Sequence, residues 1–139
     1  MSKAFAFAGA RVGYLAADPA VVDALRLVRL PYHLSAFTQA AAEAALDHAE
    51  VLLATVADIR AQRDRLVSEL RTLGFDPYRS DSNFVLFGGV QDSERTFAEL
   101  LARGVLVRNV GIPNTLRVTA GTGAETTAFL ETLAELQAN

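Results

Sequence analysis

The sequence predicts an α/β fold in which helices pack on a small sheet and one long helix leads into it. Three observations carry this. Leu52, Val56, Ile59, Leu66, Leu70 and Leu73 recur at spacings of 4, 3, 7, 4 and 3, the rhythm of a single helical face. After Gly74, short apolar runs and capped helical segments follow in the order strand, strand, helix, strand, strand, helix. Hydrophobic residues make up 51% of 139 residues and charged residues 21%, enough to bury a core and too apolar for a disordered chain.

The elements follow in order. Ala10 to Ala16 reads as a short strand, with Gly9 and Gly13 allowing tight turns around it. Asp18-Pro19 is a helix start, an N-cap followed by proline at the first helical position, and the helix runs to about Leu30, where Pro31 stops it. Ser35 caps a long Ala-rich helical stretch, with a break between His48 and Val51. Arg60, Arg63, Asp64 and Arg71 fall mainly off its apolar face, and Gly74 ends it. Phe75–Tyr78 and Asn83–Phe87 are strands, the second closed by Gly88-Gly89. Ser93 caps a helix closed by Gly104. Val105–Arg108 and Leu116–Thr119 are two further strands joined by a turn at Gly111-Ile112-Pro113-Asn114. Thr122-Gly123-Ala124-Glu125 is a capping box for the last helix, with Phe129, Leu133 and Leu136 on its buried face.

Several function classes lose support at this point. A net charge of −3 gives no general electrostatic reason to bind nucleic acid or an acidic membrane. The absence of cysteine excludes disulfides and thiolate metal sites, and fits a reducing cytoplasm. His33 and His48 are too few and too scattered for a metal site, so no metal is expected. No apolar run is long enough for a membrane span.

The chemistry concentrates in Ser2-Lys3-Ala4-Phe5 and Ala8-Gly9-Ala10-Arg11-Val12-Gly13-Tyr14. A lysine set among apolar residues and glycines suggests a buried amine, and burial makes an amine a nucleophile toward an aldehyde. Arg11 and Ser2 could return to the same pocket and bind a phosphate. By residue type alone, a lysine and an arginine near a chain end are more often solvated. Arg108 closes an apolar run, and Arg117 alternates with Leu116 and Val118, so it faces opposite to both. By the same reasoning each could simply point into water.

A family resemblance changes that balance. Ser2-Lys3-Ala4-Phe5 followed by Ala8-Gly9-x-Arg11-x-Gly13-Tyr14 resembles the cofactor-lysine signature of fold-type I, class I and II pyridoxal-phosphate (PLP) aminotransferases, nearest the histidinol-phosphate aminotransferase group. Leu30-Pro31-Tyr32-His33-Leu34-Ser35, Ser82-Asn83-Phe84-Val85, Val105-Leu106-Val107-Arg108 and Leu116-Arg117-Val118-Thr119-Ala120-Gly121-Thr122 resemble that family in its usual order. The resemblance implies that residues 1–34 are the end of a large PLP-binding domain, and that residues 35–139 are a connecting helix and the small C-terminal α/β domain. It implies that Lys3 is the catalytic lysine, bonded to PLP and then moving the substrate's proton, and that Ser2 and Arg11 bind the cofactor phosphate. It implies that Arg117 holds a substrate carboxylate, and that Arg108 meets the phosphate end of histidinol phosphate. The partners it implies are an amino donor, a 2-oxo acid and a second subunit in a homodimer, with neither nucleic acid nor membrane. The family's ring-contacting residues come from segments upstream of the lysine, so this chain alone is expected to be inactive. Two alternatives stay open. One is an aromatic amino-acid aminotransferase or a phospho-amino-acid decarboxylase of the same fold. The other is a non-catalytic α/β binding module.

Overall fold

The computed structural model describes residues 1–138, which fall into two compact units, residues 1–56 and the residues from Ala57 onward.

The first unit opens in a chain of turns. The Phe5 amide donates to Met1 O at 3.1 Å and the Ala6 amide to Lys3 O at 3.0 Å. The predicted strand over residues 10–16 is not formed: residues 12–18 have no regular structure. A strand needs a neighbour to take its backbone N–H and C=O groups, and among the described residues this unit contains no strand. The left-handed positions here are Ala6 at φ 50° and Arg11 at φ 53°, not Gly9 or Gly13.

Helix α1, Pro19–Val28, starts where the Asp18 carboxylate accepts the Ala20 amide at 2.9 Å. It ends before Pro31, which would force Leu30 away from helical geometry. Helix α2, Ala36–Asp47, starts where Ser35 Oγ accepts the Thr38 amide at 3.0 Å. His48 makes the predicted break, and α3 spans Ala49–Thr72, crossing from the first unit into the second. Among the described residues of the first unit only Ala42 is buried, while Leu27, Tyr32 and Phe37 stand almost fully exposed.

The second unit holds the core. Strands β1 (Asp76–Pro77), β2 (Phe84–Gly88) and β3 (Leu116–Thr119) form an antiparallel sheet in that order. The register Val85↔Val118 and Phe87↔Leu116 puts four buried side chains on one face. Helices α3, α4 (Ser93–Ala102) and α5 (Gly123–Ala138) supply Leu66, Leu70, Leu100, Phe129, Leu130 and Leu133 to that same core. The Phe87 ring meets Phe75 and Phe129 edge-on at 5.5 and 6.1 Å. Each such side chain contributes roughly 1.5–3 kcal/mol through burial. The helices therefore cover one sheet face, and Phe84, Leu86 and Arg117 lie half-buried on the other.

Three local expectations need correction. The N-cap of α4 is Asp92, which accepts the Arg95 amide at 2.9 Å, one residue before Ser93. Val105–Arg108 is not a full strand, because only Arg108 pairs, in a single bridge to Arg117. Arg63, placed on the solvent side by the helical pattern, is buried, and its guanidinium donates to Asp64 Oδ1 at 2.7 and 2.9 Å.

Candidate functional site: an amine segment and an arginine pair

Ser2, Lys3 and Arg11 belong to the first unit. Lys3 is exposed and in no ion pair among the described residues, so its amine is not already committed. The buried lysine expected from the apolar run is not what this unit shows, because a succession of turns leaves the side chain in solvent. Arg11 is also exposed and donates Nη1 to Ala8 O at 2.9 Å, which leaves the rest of its fork available. Ser2 is half-buried. The donor set matches PLP chemically: a primary amine for an aldehyde, a hydroxyl and a planar cation for a phosphate.

Arg108 and Arg117 belong to the second unit, where the fold brings them together. Each backbone amide donates to the other's carbonyl at 2.9 Å. Directly opposed residues of an antiparallel pair point to the same face, so both side chains leave the sheet on the side away from the helices. Like charges in that position repel. No carboxylate among the described residues pairs with either.

Arg117 is half-buried. Its Nε is buried with no hydrogen-bond partner among the described residues, and its Cζ lies 4.6 Å from the centroid of the Phe84 ring. An unpaired buried guanidinium N–H is costly, and an anion supplies the acceptor it lacks. Phe84 is the residue that sequence reasoning missed here. Alternation in the sequence puts Phe84 and Leu86 on one face of β2, and only the pairing of Leu86 with Arg117 shows that this is the face of the arginine. The backbone carbonyl of Asn83 accepts the Ala120 amide at 2.9 Å, extending the pairing of β2 with β3.

Two clefts of about 370 and 360 Å³ occur in the second unit, and neither includes Arg108 or Arg117. The first is lined by Phe75, Arg95, Glu99 and Leu133 among others, and the second by Leu66, Val105, Val118, Thr126 and Phe129 among others. In the first, the Arg95 guanidinium holds the Glu99 carboxyl below its ordinary range through a 2.7 Å hydrogen bond. Among the described residues there is no metal-ligating cluster and no helix long and apolar enough to cross a membrane.

The aminotransferase class I and II family model matches residues 1–133. The chain is 64% identical over 136 residues to a histidinol-phosphate aminotransferase of Paenarthrobacter aurescens, covering 98% of this chain and 37% of that protein. It is 58% identical over 137 residues to the corresponding protein of Streptomyces avermitilis, covering 99% of this chain and again 37% of the relative. Among solved structures, histidinol-phosphate aminotransferase from Sinorhizobium meliloti in complex with pyridoxal-5′-phosphate superposes with a TM-score of 0.79 at 27% identity, over 97% of this chain and 39% of that one. The enzyme of the same name from Clostridium acetobutylicum superposes at 0.83 over 100% of this chain and 44% of that one, and its 23% identity speaks for the fold alone. The chain thus spans a little over a third of the length of these relatives.

Proposed function

Because the chain belongs to the aminotransferase class I and II family, we propose that it is the lysine-bearing part of a histidinol-phosphate aminotransferase, exchanging an amino group between histidinol phosphate and 2-oxoglutarate for histidine biosynthesis. The observation behind this is the cross-strand pair of Arg108 and Arg117, two adjacent cations with no acidic partner among the described residues, on the open face of a sheet. Both amino donors carry anionic groups, histidinol phosphate its phosphate and glutamate a carboxylate at each end. Arg117, with its planar fork, suits the carboxylate, and Arg108 beside it adds the second positive charge that a phosphate dianion calls for.

In this reading PLP, when bound, supplies an aldehyde for amine exchange and a ring that accepts electron density from the substrate. With PLP bound, the Lys3 amine would hold the cofactor through that aldehyde and, once the substrate amine displaced it, would be the base that moves the proton at the amine-bearing carbon. Ser2 and Arg11 bind the phosphate of the cofactor and thereby set where Lys3 meets it. Residues 1–34 act as the end of the large domain, and residues 35–139 as the connecting helix and the small domain. Contacts to the cofactor ring come from outside these 139 residues, so turnover is assigned to the whole protein, a cytoplasmic homodimer on the same family grounds.

Borohydride reduction with added PLP, followed by peptide mapping, tests the first half: the adduct should sit on Lys3 and disappear in Lys3→Ala. Turnover by the whole protein tests the second. Arg108→Ala should lower kcat/KM for histidinol phosphate by about 10- to 150-fold, the loss of a charge-assisted hydrogen bond. Faster turnover of phenylalanine than of histidinol phosphate would overturn the substrate assignment.

A further inference from the structure

We infer that Phe84 is a positioning residue for the substrate anion, holding the Arg117 guanidinium against the face of its ring so that the hydrogen-bond donors of that arginine stay free for the ligand. This rests on the reading of Arg117 as an anion-binding residue. The backbone of Arg117 is held from both sides, by β2 in register with Leu86 and by the paired amide and carbonyl of Arg108. What remains to be set is the side chain, which is long and rich in rotamers. No salt bridge sets it among the described residues, and its Nε meets no acceptor there. The partner that its side chain has among the described residues is the Phe84 ring, 4.6 Å from Cζ.

The choice of partner matters chemically. A neighbouring carboxylate would orient Arg117 equally well, but it would occupy the fork and cancel the charge. An aromatic face attracts the cation through its quadrupole and accepts no in-plane N–H. The guanidinium is thereby oriented while its charge and donors are retained, which is what a site that must bind and release an anion in every half-reaction requires. Phe84 can do this because β2 and β3 pair Phe84 with Thr119 and Leu86 with Arg117, which puts Phe84 diagonally across from the arginine on one face.

The test uses the whole aminotransferase. Phe84→Met keeps an apolar side chain of similar reach without a ring, and Phe84→Tyr keeps the ring. Phe84→Met should raise KM for both glutamate and histidinol phosphate by about 3- to 30-fold, the range of a cation–π contact, with kcat changed by less than about 3-fold. Phe84→Tyr should stay within about 2-fold of the parent. A general packing role would instead give equal KM changes in both variants, or none in either, and would overturn the inference. Arg117→Ala separates the two levels. If it raises KM while Phe84→Met does not, the anion-binding reading stands and the positioning role falls. If Arg117→Ala leaves KM unchanged, the reading falls and the inference falls with it.

Discussion

Glu125 does two jobs at one helix start, and the charge on its carboxylate matters to both. Its Oε2 accepts the Thr122 amide at 2.7 Å and the Thr122 hydroxyl at 2.8 Å, while Thr122 Oγ1 accepts the Glu125 amide at 3.3 Å. The backbone hydrogen bond from Thr122, followed by that from its hydroxyl, lowers the pKa of Glu125. A carboxyl whose folded pKa is depressed adds stability that is complete above its unfolded pKa and is lost as pH falls through the folded value. Melting curves recorded from about pH 7 down to about pH 3 should therefore show a smaller acid loss for Glu125→Gln than for the parent. The same carboxylate explains Gly121, where an added Cβ would stand 2.5 Å from Glu125 Oε2. Gly121→Ala should cost about 1 kcal/mol in urea unfolding, the value of a lost cap, and much less in a Glu125→Ala background. Additive losses in the two backgrounds would show that the clash lies elsewhere.

At the scale of elements, helix ends set the chain direction. Gly74 and Gly104 occupy left-handed positions at φ 85° and 79°. After α3 the Phe75 amide reaches Leu70 O at 2.9 Å and Gly74 reaches Arg71 O at 3.0 Å, and after α4 Val105 reaches Leu100 O and Gly104 reaches Leu101 O, both at 2.9 Å. This is a Schellman closure in each case, and it turns the chain from a helix into the sheet region. Gly104→Ala should destabilise by about 1–2 kcal/mol, because an L-residue resists that φ. Gly123→Ala, at the first position of α5 with only an ordinary 3.7 Å contact to Gln62, should be neutral or slightly stabilising. Chemical denaturation of the pair reads the contrast directly. The start of α5 is tied to α3 by Arg65, whose Nη1 donates to Thr127 Oγ1 at 2.9 Å and to Gly123 O at 3.4 Å.

At the scale of the molecule the two units differ in what holds them. The unit from Ala57 onward has a contiguous core from Leu66 to Leu133, whereas the unit of residues 1–56 buries only Ala42 among its described residues. Opening free energy follows buried apolar contact, so amide exchange should separate them. Backbone amides of β2 and of α5 around Phe129 should be the slowest to exchange, and those of α1 and α2 should exchange orders of magnitude faster. Equal protection in α1 and β2 would contradict the partition.

Much of this protein was legible from local chemistry. Asp18, Ser35 and the Thr122–Glu125 box announce helix starts, Gly74 and Gly104 announce stops, and period-2 alternation puts Arg117 opposite the core. These are short-range rules, set by the hydrogen bonds and dihedrals of a few neighbouring residues. The order of family-like segments likewise pointed to the aminotransferases that the family match then established. Pairing was not legible, because it joins residues far apart in sequence. Whether Ala10–Ala16 or Val105–Arg108 became strands depended on finding a neighbour, and only Arg108 found one. That bridge is also what makes a site of two separate arginines: the sequence by itself supplied the cations, and the register of β2 and β3 set Arg117 beside Arg108 and over the ring of Phe84.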